Sequence, residues 1–169
     1  MTRRLLGFAP HATPAARVLI LGSMPGEASL AAGQYYALRH NAFWPIMADL
    51  LGFDPTIPYA ERLAALAAAN IALWDTCRTC NRQGSLDASI QQPVPNDFAT
   101  FLAAHPNITQ IFFNGAKAES LFHALVTPTL PPPHPAFTRL PSTSPAYAGL
   151  SRAAKTAAWR TILQFIHTA

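Results

Sequence analysis

Charge, cysteine and long apolar runs are all scarce in this chain of 169 residues. Asp, Glu, Lys and Arg make up 12% of it, against roughly 25% in ordinary soluble domains. Solubility must therefore rest largely on Ser, Thr, Asn, Gln and Pro. Cys77 and Cys80 are the only cysteines, which excludes a four-cysteine iron–sulfur cluster. Their C-x-x-C spacing suits a redox pair after a strand, but with no further cysteine for a zinc site two reduced thiols are expected. No metal and no cofactor are expected. No stretch reaches the ~18 apolar residues of a membrane helix. Met1-Thr2-Arg3-Arg4-Leu5 opens with charge but lacks the apolar run and cleavage site of a leader, so a cytoplasmic location is expected. A phosphate-binding P-loop fails for want of G-K-[ST]. A nucleophile elbow at Ser23 fails as well, because Leu21 and Pro25 stand where G-x-S-x-G needs glycine.

Half of the residues are hydrophobic, enough for one core spanning residues 1–169 as a single domain. The net charge is +4, and ten of the twelve basic residues are arginine. That balance suits bidentate contact with phosphate without demanding it. After a lead-in over residues 1–16, short apolar runs predict strands at 17–21, 71–74, 111–113 and 137–140. Helices are expected over 41–51 with Asn41 as N-cap, and over 58–70 with Asn70 near the C-cap. Asn96 is expected to cap a helix through Phe98, Phe101 and Leu102, and 116–125 and 149–167 complete the set. In the last helix Leu150, Ala154, Ala158, Ile162 and Phe165 form the inward side, with Arg152, Lys155 and Arg160 elsewhere. Residues 84–95 read as a loop or short-turn segment, and the proline-rich stretch 127–135 as a stiff connection. Strands alternating with helices imply an α/β fold: a three-layer αβα sandwich around a central four-stranded parallel sheet. Its four post-strand loops then share one edge, where ligands collect.

The stretch Arg17–Trp44 concentrates the chemistry. A buried-strand run ends in Gly22-Ser23-Met24-Pro25-Gly26, followed by Gln34-Tyr35-Tyr36 and Arg39-His40-Asn41-Ala42-Phe43-Trp44. With GSMPGEAS, GQYYA, NAFWPI, ALWD, GSLDASI, FFNGAKA and LPSTSPA in this order, the chain resembles the uracil-DNA glycosylase superfamily. Within it the resemblance is strongest to the hypoxanthine and mismatch-specific uracil glycosylases. The resemblance implies a uracil-DNA glycosylase-like fold. It also implies a monofunctional enzyme that hydrolyses the N-glycosidic bond of a deaminated base in double- or single-stranded DNA, working as a monomer. The alternative is a catalytically weak DNA-binding module on the same fold.

Such an enzyme must extrude the nucleotide and hold its base in a pocket. The resemblance makes Asn41, ahead of the Phe-Trp pair, the catalytic amide, which orients water without being a base. Its structural role as a helix cap stays open beside that. Where the family reads H-P-R-N, this chain has Leu38-Arg39-His40-Asn41. Tyr36, or equally Tyr35, is the stacking aromatic, an interaction of about 1–3 kcal/mol per base. Trp74 and Asp75 fall where relatives contact the base edge, although Asp75 also suits a turn cap. Ser23, Met24 and Asn114 complete the base-binding set, Asn114 with a turn role as its alternative. Ser142, Thr143, Ser144, Pro145, Ala146 and Tyr147 form the DNA-binding motif, in which hydroxyls and N–H groups fix phosphates. Tyr147 is a candidate wedge or a surface turn aromatic. Arg78, Arg82 and Arg139 read as solvated surface residues within reach of phosphates, and Lys117 and Lys155 as too isolated for a Schiff base.

Overall fold

The computed structural model describes residues 3–167; Met1, Thr2, Thr168 and Ala169, counted in the single domain expected above, lie outside the described residues. In chain order the elements are β1 (Arg4–Leu6), β2 (Val18–Gly22), α1 (Glu27–Ala32), α2 (Phe43–Leu51), α3 (Tyr59–Ala68), β3 (Ile71–Asp75), β4 (Cys77–Asn81) and β5 (Gln91–Pro95). Then come α4 (Phe98–Ala104), β6 (Gln110–Asn114), α5 (Ala116–Leu125), β7 (Ala136–Leu140) and α6 (Arg152–Trp159).

The central sheet is parallel, in the order β3-β2-β6-β7. Every residue of β2 and β3 is buried, as a sheet covered on both faces requires. The period of two divides the side chains of β2 between two cores. Val18 and Ile20 meet Phe43, Ile46, Met47 and Trp159 on the face covered by α2 and α6. Leu19 and Leu21 meet Phe98, Phe101 and Phe122 on the face covered by α4 and α5. Each fully buried phenylalanine contributes roughly 1.5–3 kcal/mol.

A second sheet, antiparallel in the order β1-β4-β5, is not anticipated by the hydrophobic pattern. Its β5 reads Gln91-Gln92-Pro93-Val94-Pro95 and lies at an edge, the position where a strand tolerates proline. Residues 84–95 are therefore a short 3₁₀ turn over Asp87–Ser89 followed by a strand, and the lead-in contributes β1. Cys77 and Cys80 sit on β4, buried and unlinked. Burial and the neighbouring Cys80 push the Cys77 thiol up to about 12, which leaves it inert.

Three helix boundaries differ from expectation. The N-cap of α2 is Ala42 rather than Asn41. Asp97, not Asn96, caps α4 by accepting from Thr100 N. Asn96 turns inward and donates from Nδ2 to Asp75 O at 2.7 Å. The last helix runs only from Arg152 to Trp159 and tightens into a 3₁₀ turn over Arg160–Gln164. Its buried line is Lys155, Trp159, Ile162 and Ile166, which shares Ile162 with the expected stripe and otherwise lies one position round from it. Asn70 does follow α3 in the left-handed region, with φ +62°.

Gly115 turns the chain from β6 into α5 with φ +93° and ψ 168°, a conformation close to glycine-only. A Cβ there would stand 3.0 Å from Ser142 Cβ. Gly115→Ala is expected to cost roughly 1–3 kcal/mol, read as a lower urea midpoint at unchanged m-value.

Candidate active site

The C-terminal ends of the four parallel strands open into one cavity of about 520 Å³. All four loop systems reach it: Gly22–Gly26 after β2, Asp75 after β3, Asn114–Ala116 after β6, and Ser142–Tyr147 after β7. Tyr35, Tyr36, Leu38 and Asn41 also line it, as do Ser85–Ala88.

Gly22 and Asp75 are register partners at the ends of β2 and β3. A Cβ on Gly22 would collide with Asp75 Oδ1, so the missing side chain lets the carboxyl fold over the end of the strand. Asp75 is 5% exposed, and its Oδ2 is buried without a partner. Burial first, then the negative charge of Asp87, raise its pKa to about 7, and Arg82 offsets part of that rise. Ser23 donates from Oγ to Asp87 Oδ1. The segment carrying Asp87 is pinned by Arg82, which donates from Nη2 to Pro25 O at 2.6 Å and from Nε to Gly84 O at 2.8 Å. Glu27 N–H adds a bond to Ser85 Oγ.

Tyr36 adopts φ +56°, a strained value for a bulky residue. That turn lays one ring face on Phe43, centroids 3.9 Å apart, and buries Oη without a partner. Burial raises its pKa well above the usual phenol range. Tyr35 also borders the cavity, but its hydroxyl donates to Ala9 O at 2.8 Å and its ring packs edge-on against Phe8. Asn41 lines the cavity, and its Oδ1 accepts from Phe43 N at 2.9 Å. This is an Asx turn into α2, so the capping function is met one residue before the helix cap.

Asn114 and Thr143 clasp each other. Asn114 Nδ2 donates to Thr143 Oγ1 at 3.0 Å, and Thr143 N–H donates to Asn114 Oδ1 at 2.9 Å. Ala42 N–H adds a bond to Thr143 O at 3.0 Å. Within the loop, Ser144 N–H donates to Ser142 Oγ and Ala146 N–H to Ser144 Oγ. Lys155 is 5% exposed. Its Nζ donates to Tyr147 O at 2.7 Å and to Ser144 O at 3.3 Å, and lies 5.3 Å from the centroid of the Tyr147 ring. Burial lowers the lysine's pKa.

Most of the expected set therefore converges: Ser23, Met24, Tyr35, Tyr36, Asn41, Asp75, Asn114 and residues 142–147 all line one cavity. Trp74 does not. Adjacent strand residues face opposite sides, so Asp75 enters the cavity while Trp74 packs on Phe98 and Phe101 and donates from Nε1 to Phe8 O. Arg82 and Lys155 are structural bolts rather than surface cations. Arg139 is exposed beside Glu119, at 3.6 Å. Asp87, Leu86 and Leu38 are lining residues that sequence reasoning passed over; the acidic residue within GSLDASI was the available signal for Asp87.

A sequence profile described as the Uracil DNA glycosylase superfamily matches residues 9–164. A hypoxanthine DNA glycosylase of Methanosarcina barkeri is 36% identical over 113 residues, 66% of this chain and 72% of that protein. A second, from Methanosarcina acetivorans, is 35% identical over 102 residues, 60% of this chain and 65% of that protein. The solution NMR structure of a proposed uracil DNA glycosylase from Methanosarcina acetivorans superposes with a TM-score of 0.81 at 28% identity, covering 97% of this chain and 99% of that one.

Asp75 also makes stability depend on pH. Its folded pKa lies above its unfolded value, so its contribution is fully present below pH ~4 and is lost as pH rises through about 7. Asp75→Asn is expected to leave the thermal midpoint nearly unchanged at pH 3.5, where Asp75 is protonated in the folded state and mostly so in the unfolded one. At pH 8.5, where the native carboxylate is charged and buried, it is expected to raise stability by roughly 2–4 kcal/mol. Thermal denaturation of both proteins at the two pH values checks this.

Proposed function

The chain belongs to the uracil DNA glycosylase superfamily, and on that premise we infer that it is a monofunctional DNA glycosylase removing a deaminated base for base excision repair. The observation that carries this reading is the cavity shared by the strand ends, with Asn41, Tyr36 and Asp75 on its walls. Its volume, about 520 Å³, falls within the ~300–1,000 Å³ of small-molecule sites and admits an extruded nucleotide. The names of the two Methanosarcina relatives favour hypoxanthine as substrate, and uracil and G-opposed thymine are the further bases to test. They also favour an enzyme over a DNA-binding module without activity.

In this proposal the base enters between the Tyr36 side and the Asn114 side of the cavity. Asp75 meets its polar edge, accepting from N–H when ionised and donating when protonated. Asn41 holds water against C1′ as the glycosidic bond breaks through an oxocarbenium-like state. One lone pair of its Oδ1 serves Phe43 N–H, which fixes the amide plane, and the other faces the incoming water. Residues 142–147 receive the backbone phosphates, positioning the strand without reading it. Tyr147, 45% exposed at the cavity mouth, fills the space the nucleotide leaves in the stack. The protein acts as a monomer on double- or single-stranded DNA and in the cytoplasm. No helix of the described residues is long and apolar enough to cross a membrane.

Excess protein incubated with duplexes carrying deoxyinosine, deoxyuridine or a G:T pair, followed by alkali, is expected to cleave at least one of them. Asn41→Ala is expected to slow that excision by about 10²-fold or more, as for the loss of one group that stabilises a transition state. Absence of product from all three duplexes would overturn the enzymatic reading.

A further inference from the structure

An amide can orient water, but it cannot take water's proton. Nor does Asn41 carry charge to oppose the positive sugar of a dissociative cleavage. Resting on the glycosylase reading above, the chemistry gains from an anion within the cavity. The sequence holds eight acidic residues, and Asp75 and Asp87 are the two that line the cavity.

Both reach the same point from different segments. Asp75 folds over Gly22 at the end of β2, and Asp87, on the turn between β4 and β5, accepts from Ser23, the next residue. The loop after β2 has no carboxylate of its own between Gly22 and Gly26, and these two segments deliver one to each of its first two residues. Their surroundings differ. Asp75 is enclosed, whereas Asp87 is an exposed residue of the cavity lining. Two carboxyls in unlike environments divide into different roles.

We propose that Asp87 is a catalytic residue: its carboxylate faces the deoxyribose, stabilises the oxocarbenium-like sugar, and accepts the proton of the water that Asn41 orients. The C1′–N bond breaks and its electron pair leaves with the base. The water oxygen bonds to C1′ and its proton passes to Asp87. Asp87 returns that proton through solvent to the departing base, so one water is consumed and the carboxylate is regenerated.

The position of Asp87 supports the assignment independently. An anion lining a DNA-binding cavity opposes the phosphates of the bound ground state. It favours only a state in which positive charge has appeared, the differential binding that accelerates a step. Arg82, which pins the segment, is 3% exposed and donates to Pro25 O and Gly84 O rather than to the Asp87 carboxylate. Among the described residues no salt bridge neutralises Asp87.

The test is Asp87→Asn, which keeps an oxygen to accept from Ser23. It is assayed by single-turnover excision on whichever lesion duplex the wild type processes, with Asp87→Glu alongside. Asp87→Asn is expected to slow excision by about 10²-fold, while binding undamaged duplex as tightly as wild type or several-fold more tightly in fluorescence anisotropy at low salt. Asp87→Glu is expected to recover part of the rate. With the Asp87 charge gone, the pH midpoint assigned to Asp75 is expected to move down in Asp87→Asn. Excision by Asp87→Asn within threefold of wild type would overturn the proposal. So would a slow variant whose affinity for undamaged duplex has fallen in parallel, because that is the mark of a loop that has merely lost its shape. Should Asp87→Asn melt well below wild type, Asp87→Glu decides: full loss of rate with intact binding overturns the assignment, and partial rate sustains it. Wild-type inactivity on every duplex is a separate result, which overturns the glycosylase reading instead.

Discussion

Thr143 is the joint on which the site depends. It is 1% exposed and makes three hydrogen bonds, two with the Asn114 amide and one through its carbonyl with Ala42 N–H. Those bonds connect the end of β6, the start of α2 and the loop after β7, which are three walls of the cavity. Each is worth about 1 kcal/mol net, but leaving any of these buried groups unpaired costs more. The Asn41 amide is therefore positioned from both directions. Phe43 N–H fixes its plane and the Ala42–Thr143 bond fixes the backbone beside it. A displacement of one wall is carried to the other two.

The central sheet could be read from the chain because its strands are apolar runs bounded by turn residues. The strand expected at 71–74 is Ile71–Asp75, that at 111–113 is Gln110–Asn114, and that at 137–140 is Ala136–Leu140. The second sheet could not. Cys77–Asn81 and Gln91–Pro95 carry no alternation of apolar and polar residues, and Pro93 and Pro95 argue locally against a strand. Their pairing is decided by tertiary context: β4 is held between β1 and β5 and closes over Met24, Ile90 and Leu121. The same limit explains the site. Loop residues flanking the parallel strands were found because strand ends gather at one edge. Asp87 was missed because its segment reaches that edge only through a sheet the pattern does not reveal.

Lys155 shows a different failure. Its charge places it on the solvent side of a helical wheel, yet the helix turns it inward beneath the last loop. Two backbone carbonyls and the Tyr147 ring receive the ammonium there, a set of partners that sequence spacing cannot supply. The buried cation gives a loop with no regular secondary structure a fixed centre, and its aliphatic stem continues the line of Trp159 and Ile162.

Unsatisfied polar groups concentrate at the cavity. Of the four buried polar side-chain atoms without a partner among the described residues, Tyr36 Oη and Asp75 Oδ2 belong to cavity residues, and Arg82 Nη1 to the arginine that anchors its cover. Natural interiors pair nearly all such groups, and exceptions at one place mark a site that holds strain for a purpose. Tyr36 adds its left-handed backbone to the same place. The cost of these features is met by the Phe43 and Trp159 core beneath them. The orphaned groups leave the cavity short of internal partners, so a ligand entering it meets polar atoms already stripped of water. Such a site gains most from a ligand that completes its hydrogen bonds and rejects one that cannot, by leaving them unpaired again.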